Sequence, residues 1–475
     1  MLRLRPRACW PGHAPHAPGH WLLGNFKCFG SKSHEVIRSL AERFSQKPFM
    51  IAFPGVGRMV VVTDGEDGRF LLNRFPNKPY FVGQAFELIS GERAVTSLTV
   101  TSTRDPASRI KRLHLFSKIY GAETRIFAQR LLGFVDALCA HFDALPDAAV
   151  LDVAEHAGAL ILDTFSAAAF CGFPMRAIER ESPGRNLLTD LFIVNSEFTS
   201  KPPFLSRLLF MVPSCWRSSH AAACVARSHV RAVAQAILAH GMSAASASPR
   251  AEHTLLGRIL TLPEDDRVAE IIFLLSAGTG TTADTIAFAL HAVAAHPCVA
   301  ERLQHELDAA LEDFKHSTED AMIEALLPER CPFLDAVMKE TFRLYPVAGD
   351  GFDRVADHDV VLPVSGTHIR RGQVVRFHSF TAHTAHGCGF SLPQEFLPER
   401  WLGDHFVPPG FLPFGAGSRD CAGQHLARQQ VRIVLGVLLQ RYVFALAPGE
   451  TQYKEMHSAA TMCPMNGVRC IIKRR

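Results

Sequence analysis

Residues 411–442 have the sequence FLPFGAGSRDCAGQHLARQQVRIVLGVLLQRY. A loop rich in phenylalanine, proline and glycine leads to Cys421, and the apolar residues after it recur at helical spacing, which predicts an amphipathic helix over residues 424–441. Cys421 therefore lies where a loop meets the positive end of a helix. Backbone N–H groups at that end, together with Arg419 two residues earlier, favour a thiolate. The neighbouring glycines let a flat ligand approach the backbone.

Cys421 has two interpretations. Taken alone, a cysteine beside a glycine loop is one more buried thiol, whereas a thiolate held below a flat macrocycle is how haem-thiolate proteins bind iron. The pattern FxxGxRxCxG is complete here, in Phe414, Gly417, Arg419, Cys421 and Gly423. With these fixed positions within ten residues, the chain resembles the cytochrome P-450 superfamily, and the resemblance implies that Cys421 ligates the iron.

Further motifs of that superfamily follow in its usual order, namely AGTGTT at residues 277–282, ETFR at 340–343 and PERW at 398–401. They resemble its oxygen-binding helix, its ExxR motif and its PERF-like segment. Glu340 and Arg343 share a helix face, and such a pair taken alone is most often a surface bridge. The resemblance implies instead that both join Arg400 to lock the loop ahead of the cysteine.

The resemblance implies a mainly α fold with small β-sheets, in which haem lies between a long central helix and the loop that carries the cysteine. Periodicity along the chain favours the same class. Residues 50–63 predict two short strands around a Pro-Gly turn, and residues 271–295 predict a long buried helix that the GTGTT cluster weakens. Other helices are predicted over residues 33–44, 123–144, 156–170, 220–240 and 299–314, and a loop over 242–253.

Composition limits the function classes. The 475 residues include 50 Lys+Arg and 46 Asp+Glu, a net charge of +4, and are 48% hydrophobic and 20% charged. This balance excludes a disordered chain and gives no basic excess for a nucleic-acid partner. Twelve cysteines without any CxxC pair argue against paired zinc and thioredoxin-like sites. An excess of phenylalanine over tyrosine, 34 against 5, has two explanations: an apolar interior able to hold an apolar ligand, or codon or lineage bias.

We predict a basic, proline-rich arm or leader over residues 1–18 and a single catalytic domain over residues 19–475. No acidic residue precedes Glu35, and an arginine-rich, acid-poor start is typical of organelle-targeting leaders. No segment within the first 60 residues approaches the roughly 20 apolar residues of a spanning helix, so the sequence as written predicts no N-terminal anchor. The resemblance implies the surface of the endoplasmic reticulum membrane, with peripheral contact.

The resemblance also implies which residues of this sequence contact the cofactor. Arg419, Arg354 and Arg112 would approach the haem propionates, because a planar guanidinium matches a carboxylate. The remaining implied cofactor contacts are Phe414, Gly415, Gly423, Ala277 and Gly278.

Thr281 aligns with the oxygen-activating threonine of the superfamily, and we expect it to be catalytic. The acid that usually precedes this threonine is Gly280 here. Asp284, one turn further on, either feeds the proton relay or is a buried carboxylate with another role. Ser108 and Gln430 are lesser departures, at a propionate-pairing position and at the position of a glutamate that usually follows the haem loop.

The implied activity is that of a b-type haem monooxygenase, which inserts one oxygen atom from O2 into an apolar substrate. Electrons would come from NAD(P)H through a diflavin reductase or a ferredoxin. Residues 75–80 and 357–372 are similar to the branch that hydroxylates fatty acids near the terminal carbon, which favours a long-chain fatty acid or related lipid. A basic patch for an acidic donor is predicted from Arg109, Lys111, Arg112, Arg428 and Arg432.

Two other functions stay open. A haem-thiolate isomerase or dehydratase acting on a peroxide needs no external electrons; Gly280 permits this, whereas Thr281 favours an oxygenase. A non-catalytic haem- or lipid-binding protein would keep Cys421 and show no turnover.

Overall fold

The computed structural model describes residues 14–19, 25, 31–53, 57–79, 82, 89–90, 115, 122–175, 185–199, 218–247, 254–312, 318–403, 407–458 and 461–475. Helices dominate these residues, and the predicted class, mainly α with small β-sheets, is confirmed. The helices are α1 (Ser33–Arg43), α2 (Gly65–Arg74), α3 (Ala122–Asp143), α4 (Val153–Ala169), α5 (Leu187–Thr199), α6 (Ser218–Ala247), α7 (Leu255–Leu260), α8 (Glu264–Gly278), α9 (Gly280–Ala295), α10 (Pro297–Leu311), α11 (Glu319–Ala325), α12 (Pro332–Leu344), α13 (Ser379–Thr384) and α14 (Gln424–Arg441).

The helices predicted from periodicity are confirmed to within a few residues, as α1, α3, α4, α6, α10 and α14. One boundary is wrong. Residues 242–247 are not part of the predicted loop, because α6 continues through MSAASA to Ala247; residues 248–253 lie outside the described residues. This segment holds no glycine or proline, and alanine is the best helix former, so its low complexity does not end the helix.

The strands form small sheets. They are β1 (Phe49–Phe53), β2 (Gly57–Val62), β3 (Ala149–Asp152), β4 (Phe352–Val355), β5 (Val360–Val361), β6 (His368–Ile369), β7 (Val374–Phe377), β8 (Tyr442–Leu446), β9 (Met456–Ser458), β10 (Met462–Pro464) and β11 (Arg469–Arg474). The predicted strand pair is confirmed as antiparallel β1 and β2, which continue into a sheet of order β1-β2-β7-β4 with β2 parallel to β7. A second sheet has the order β3-β11-β8, and β9 with β10 and β5 with β6 form two-stranded pairs.

The predicted central helix consists of two helices, α8 and α9, that separate at Thr279. Its backbone turns there (φ −103°, ψ −64°), and its hydroxyl donates to the carbonyl oxygen of Leu275 at 2.5 Å. A threonine that bonds back to the preceding turn beside glycines disturbs a helix, so the predicted weakness of GTGTT is confirmed. Within the described part of the chain, residues 264–295 form the one stretch long and apolar enough to cross a membrane. About 61% of its most apolar window is buried inside the fold, which supports the prediction of a core helix.

The apolar core surrounds the two central helices, α8 and α9. The largest cluster of buried apolar residues joins α3, α4, α9, α12 and α14 to the β3-β11-β8 sheet. A second cluster joins α4, α5, α6 and α8. The first cluster therefore holds α9 and the second holds α8, so the junction of the two helices lies between the two cores.

Glu340 and Arg343 are both fully buried on α12, so the interpretation of this pair as a surface bridge is wrong. Arg343 donates to both carboxylate oxygens of Glu340 at 2.8 Å. The same carboxylate accepts from the N–H of Leu397 (2.8 Å), from Arg400 Nε (3.1 Å) and from Trp401 Nε1 (2.8 Å). The carboxylate thereby ties α12 to the short turn Pro398–Trp401, as the resemblance implies.

Candidate functional site

A cavity of about 330 Å³ lies between the junction of α8 and α9 and the loop that precedes α14. Many aromatic side chains line it: Phe127, Phe165, Phe273, Phe342, Phe352 and Phe414. The residues singled out in the sequence that line it are Cys421, Phe414, Gly423, Arg419, Arg354, Ala277, Gly278, Thr281 and Gln430. Gly415 and Asp284 are not part of this lining, and Arg112 and Ser108 lie outside the described residues.

The loop before α14 presents Cys421 to the cavity. The N–H of Cys421 donates to the carbonyl oxygen of Phe414 at 2.9 Å and so closes the loop on itself. Gly417 has φ +74°, and a Cβ there would lie 2.6 Å from the carbonyl oxygen of Leu72. Only glycine therefore fits where this loop packs against α2. At Gly423 a Cβ would be 4.0 Å from Cys421 Sγ, an ordinary contact, so the sulfur does not itself require that glycine.

Cationic side chains form another part of the lining. Arg354 on β4 is only 2% exposed, and its Nη1 donates to the carbonyl oxygen of Asp353 at 2.9 Å. Arg419 Nε donates to the carbonyl oxygen of Pro76 at 3.1 Å. Lys78, within the residues 75–80 that resemble the fatty-acid branch, lines the same cavity. Guanidinium groups pair with planar carboxylates, so this side suits a ligand that carries carboxylates.

These residues fit haem b. Cys421 supplies the sulfur donor, Arg354 and Arg419 match propionates, and the aromatic lining suits a macrocycle. A further polar atom borders the cavity on the first turns of α14. Gln430 is 1% exposed, and its Nε2 is buried without a hydrogen-bond partner, which is costly unless a bound group satisfies it. The chemistry of the cavity thus agrees with the group that the motifs imply.

The helical side of the cavity carries hydroxyl groups at its centre. Thr281 Oγ1 donates to the carbonyl oxygen of Ala277 at 2.9 Å, and Thr285 Oγ1 donates to that of Thr281 at 2.8 Å. Each hydroxyl keeps its lone pairs as acceptors for water or ligand. Thr285 was not predicted from the sequence, although its position four residues after Thr281 places it on the same face. A Cβ at Gly280 would meet nothing within 4 Å, so the carboxyl missing from this position leaves open space.

Asp284 lies one turn beyond Thr281 but does not line the cavity. Its carboxyl is deep within the fold, where burial raises its pKa to about 8. Its charge acts on Cys463 of β10, which places the carboxyl toward that strand. A role in proton supply would therefore act through an intervening group and not by direct contact.

The structure describes two members of the predicted basic patch, Arg428 and Arg432, and both make contacts with other elements of the fold. Arg432 donates to Asp335 at 2.8 Å and is 12% exposed. The guanidinium carbon of Arg428 lies 4.6 Å from the ring centroid of Phe414. Both side chains are partly buried because α14 turns this face toward α12, and a donor surface that includes them stays a prediction. The other members, Arg109, Lys111 and Arg112, lie outside the described residues.

Comparison with known proteins gives an independent result. The family model described as Cytochrome P450 matches residues 15–470. The chain is 36% identical over 194 residues to Cytochrome P450 3A6 of Oryctolagus cuniculus, a match that covers 40% of this chain and 36% of that protein. Cytochrome P450 3A9 of Rattus norvegicus is 35% identical over 186 residues, which cover 38% of this chain and 35% of that protein. The chain thus spans about a third of the length of these relatives, and their names mention no fatty acid.

Proposed function

Because the chain belongs to the cytochrome P450 family, we propose that it is a haem-thiolate monooxygenase that inserts one oxygen atom from O2 into an apolar substrate. One observation carries the proposal: Cys421 and Thr281, from two distant parts of the chain, line the same cavity. Haem b, when bound, supplies the activation of O2 with electrons from NAD(P)H. We also propose that residues 19–475 form the catalytic domain, with residues 1–18 as a basic arm or leader.

The side chains around the cavity have distinct tasks in this proposal. Cys421 would hold the haem iron as its thiolate ligand. Arg354 and Arg419 would pair with the propionates and so orient the macrocycle, while the phenylalanines exclude water and bind the substrate. Thr281 donates to Ala277 and therefore binds water only as an acceptor, which orients that water for proton delivery.

We predict that Thr281→Val separates oxygen consumption from product formation. Without the hydroxyl, water loses its acceptor, and we expect product per NADPH to fall by about tenfold or more while H2O2 rises. Simultaneous assays of NADPH, product and H2O2 measure this. The matched control is Thr341→Val, which removes a hydroxyl that bonds back to Val337 at 2.9 Å on α12, away from the cavity. If Thr281→Val forms as much product per NADPH as the wild type (normal coupling), the assigned role of Thr281 is contradicted.

We predict that Asp284 makes product formation pH-dependent. With its pKa raised to about 8 by burial, the carboxyl holds its proton at neutral pH and loses it above about pH 8. As the proposed proton source, it supports coupling below that pH and ceases to do so above it. Asp284→Asn is expected to lower coupling at neutral pH and to flatten the fall toward pH 9, measured as product per NADPH. Identical profiles in both proteins would remove Asp284 from the relay.

The apolar lining supports an apolar substrate, and we propose a long-chain fatty acid or related lipid, on the resemblance of residues 75–80 and 357–372 to the fatty-acid branch. Lys78 is a cation in the lining that suits a carboxylate.

A diflavin reductase or a ferredoxin would supply the electrons. By resemblance we propose the surface of the endoplasmic reticulum membrane, with peripheral contact, and organelle targeting as the alternative that the basic start favours.

The experiment that tests the activity compares two sources of oxidising power. Haem-loaded protein is incubated with fatty acids and matched neutral lipids, either with NADPH and a generic reductase or with a lipid hydroperoxide alone. Oxygenated product that requires NADPH and O2 supports the monooxygenase. Rearranged or dehydrated hydroperoxide without NADPH supports the isomerase or dehydratase that the open space at Gly280 permits. A haem-loaded protein inactive in both assays is a binding protein.

A further inference from the structure

Arg428 occupies an unusual place on α14. Its guanidinium carbon lies 4.6 Å from the ring centroid of Phe414 and 5.5 Å from that of Phe342. Both rings line the cavity, and the carbonyl oxygen of Phe414 accepts the N–H of Cys421. A cation over aromatic rings is attracted to them and keeps a fixed position. A positive charge is thus held against the two rings that line the cavity beside the cysteine loop.

The carboxylate that acts on Arg428 pairs with other cations, so the charge of Arg428 can act on Cys421. Burial lowers the pKa of Arg428, and among the groups that act on it are Asp335, Arg432 and Cys421 itself. The two carboxylate oxygens of Asp335 bond Arg432 and Lys339, each at 2.8 Å. Arg428 itself forms no ion pair with a carboxylate among the described residues. Its charge is partly buried, where screening by water and salt is weaker than at a surface.

We propose that Arg428 raises the reduction potential of the iron that Cys421 ligates. One-electron reduction adds a negative charge to this centre, and a cation fixed nearby favours the more negative state. Arg428 acts through space and through its contact with Phe414, without touching substrate. The inference rests on the proposed function, since it requires haem bound to Cys421.

The test measures the potential at equilibrium, without a reductase. Haem-loaded wild type, Arg428→Gln and Arg428→Lys are titrated with dithionite and redox dyes, after the spectrum of the reduced, CO-bound protein has shown intact thiolate ligation. We expect Arg428→Gln to shift the reduction equilibrium about tenfold toward the oxidised state, which is about 59 mV for one electron. Arg428→Lys keeps the charge and should recover most of the shift. Arg428→Met, which keeps the apolar contact with both rings, provides the same test if the glutamine variant loses haem.

Arg441→Gln is the matched control, because it removes the same charge from the same helix. It lies 13 residues, about 20 Å, further along α14, where Arg441 pairs with Asp136 at 2.9 Å. An unchanged potential in Arg428→Gln would overturn the inference, as would an equal shift in Arg441→Gln. Unchanged potential with slower reduction by a reductase would instead assign Arg428 to donor docking. A wild type without thiolate-ligated haem would overturn the proposed function itself.

Discussion

Replacing Cys421 with serine is expected to abolish the strongly red-shifted Soret band of the dithionite-reduced, CO-bound protein. A serine hydroxyl is a far weaker donor to iron than a thiolate, so the electronic signature of thiolate ligation should be lost with the sulfur. Of the described cysteines, Cys421 alone lines it. The measurement is the CO difference spectrum of both proteins, with haem content determined in parallel, and we expect complete loss of the band.

Cys298→Ser is the control for this experiment, since Cys298 is an exposed free thiol on α10. Its spectrum should equal that of the wild type. If Cys421→Ser also retains the red-shifted band, another residue ligates the iron and the assignment of the motif fails. If the wild type itself retains no haem, the chain has the P450 fold without its cofactor chemistry.

Glu340→Gln is expected to have the largest effect on folding. One carboxylate accepts five hydrogen bonds, and an amide places an N–H2 group against some of these donors while leaving Arg343 charged and fully buried. Breaking a buried ion pair on one side costs about 3–5 kcal/mol. Total stabilities are only about 5–15 kcal/mol, so we expect much of the protein to lose haem or aggregate. The denaturant midpoint and the haem content after purification measure the loss.

Glu399→Gln gives the comparison, because Glu399 lies in the same PERW turn and also pairs with an arginine. Its partner is Arg302 at 3.2 Å, and both side chains are about half exposed. Solvent-screened pairs of this kind contribute about 0–1 kcal/mol, so the midpoint should hardly change. Equal losses in the two variants would show that burial of Glu340 does not determine its importance.

The local elements of this fold follow directly from the sequence. Short-range periodicity predicts α1, α3, α4, α10 and α14, because residues three and four apart share a helix face whatever lies opposite. The break at Thr279 is equally local, since it depends on glycine entropy and on a hydroxyl that bonds its own preceding turn. The loop around Cys421 is also encoded nearby, with Gly417 in a conformation that favours glycine.

Orientation of single side chains could not be predicted in the same way. Arg428 and Arg432 occur at positions that suit a solvated helix face, yet packing against α12 places Phe342 and Asp335 beside them. Asp284 is one turn from Thr281 in sequence, but the direction of its carboxyl depends on β10, nearly 180 residues later.

The sequence by itself thus determined the helical class, the cysteine loop and the family, because these depend on motifs and on spacings of a few residues. Only the tertiary structure decided that Glu340 and Arg343 are buried, that Lys78, Thr285 and Gln430 border the cavity, and that Arg428 faces inward. The physical reason is that burial and charge environment depend on the elements packed opposite a residue. Those elements come from remote parts of the chain, and local periodicity carries no information about them.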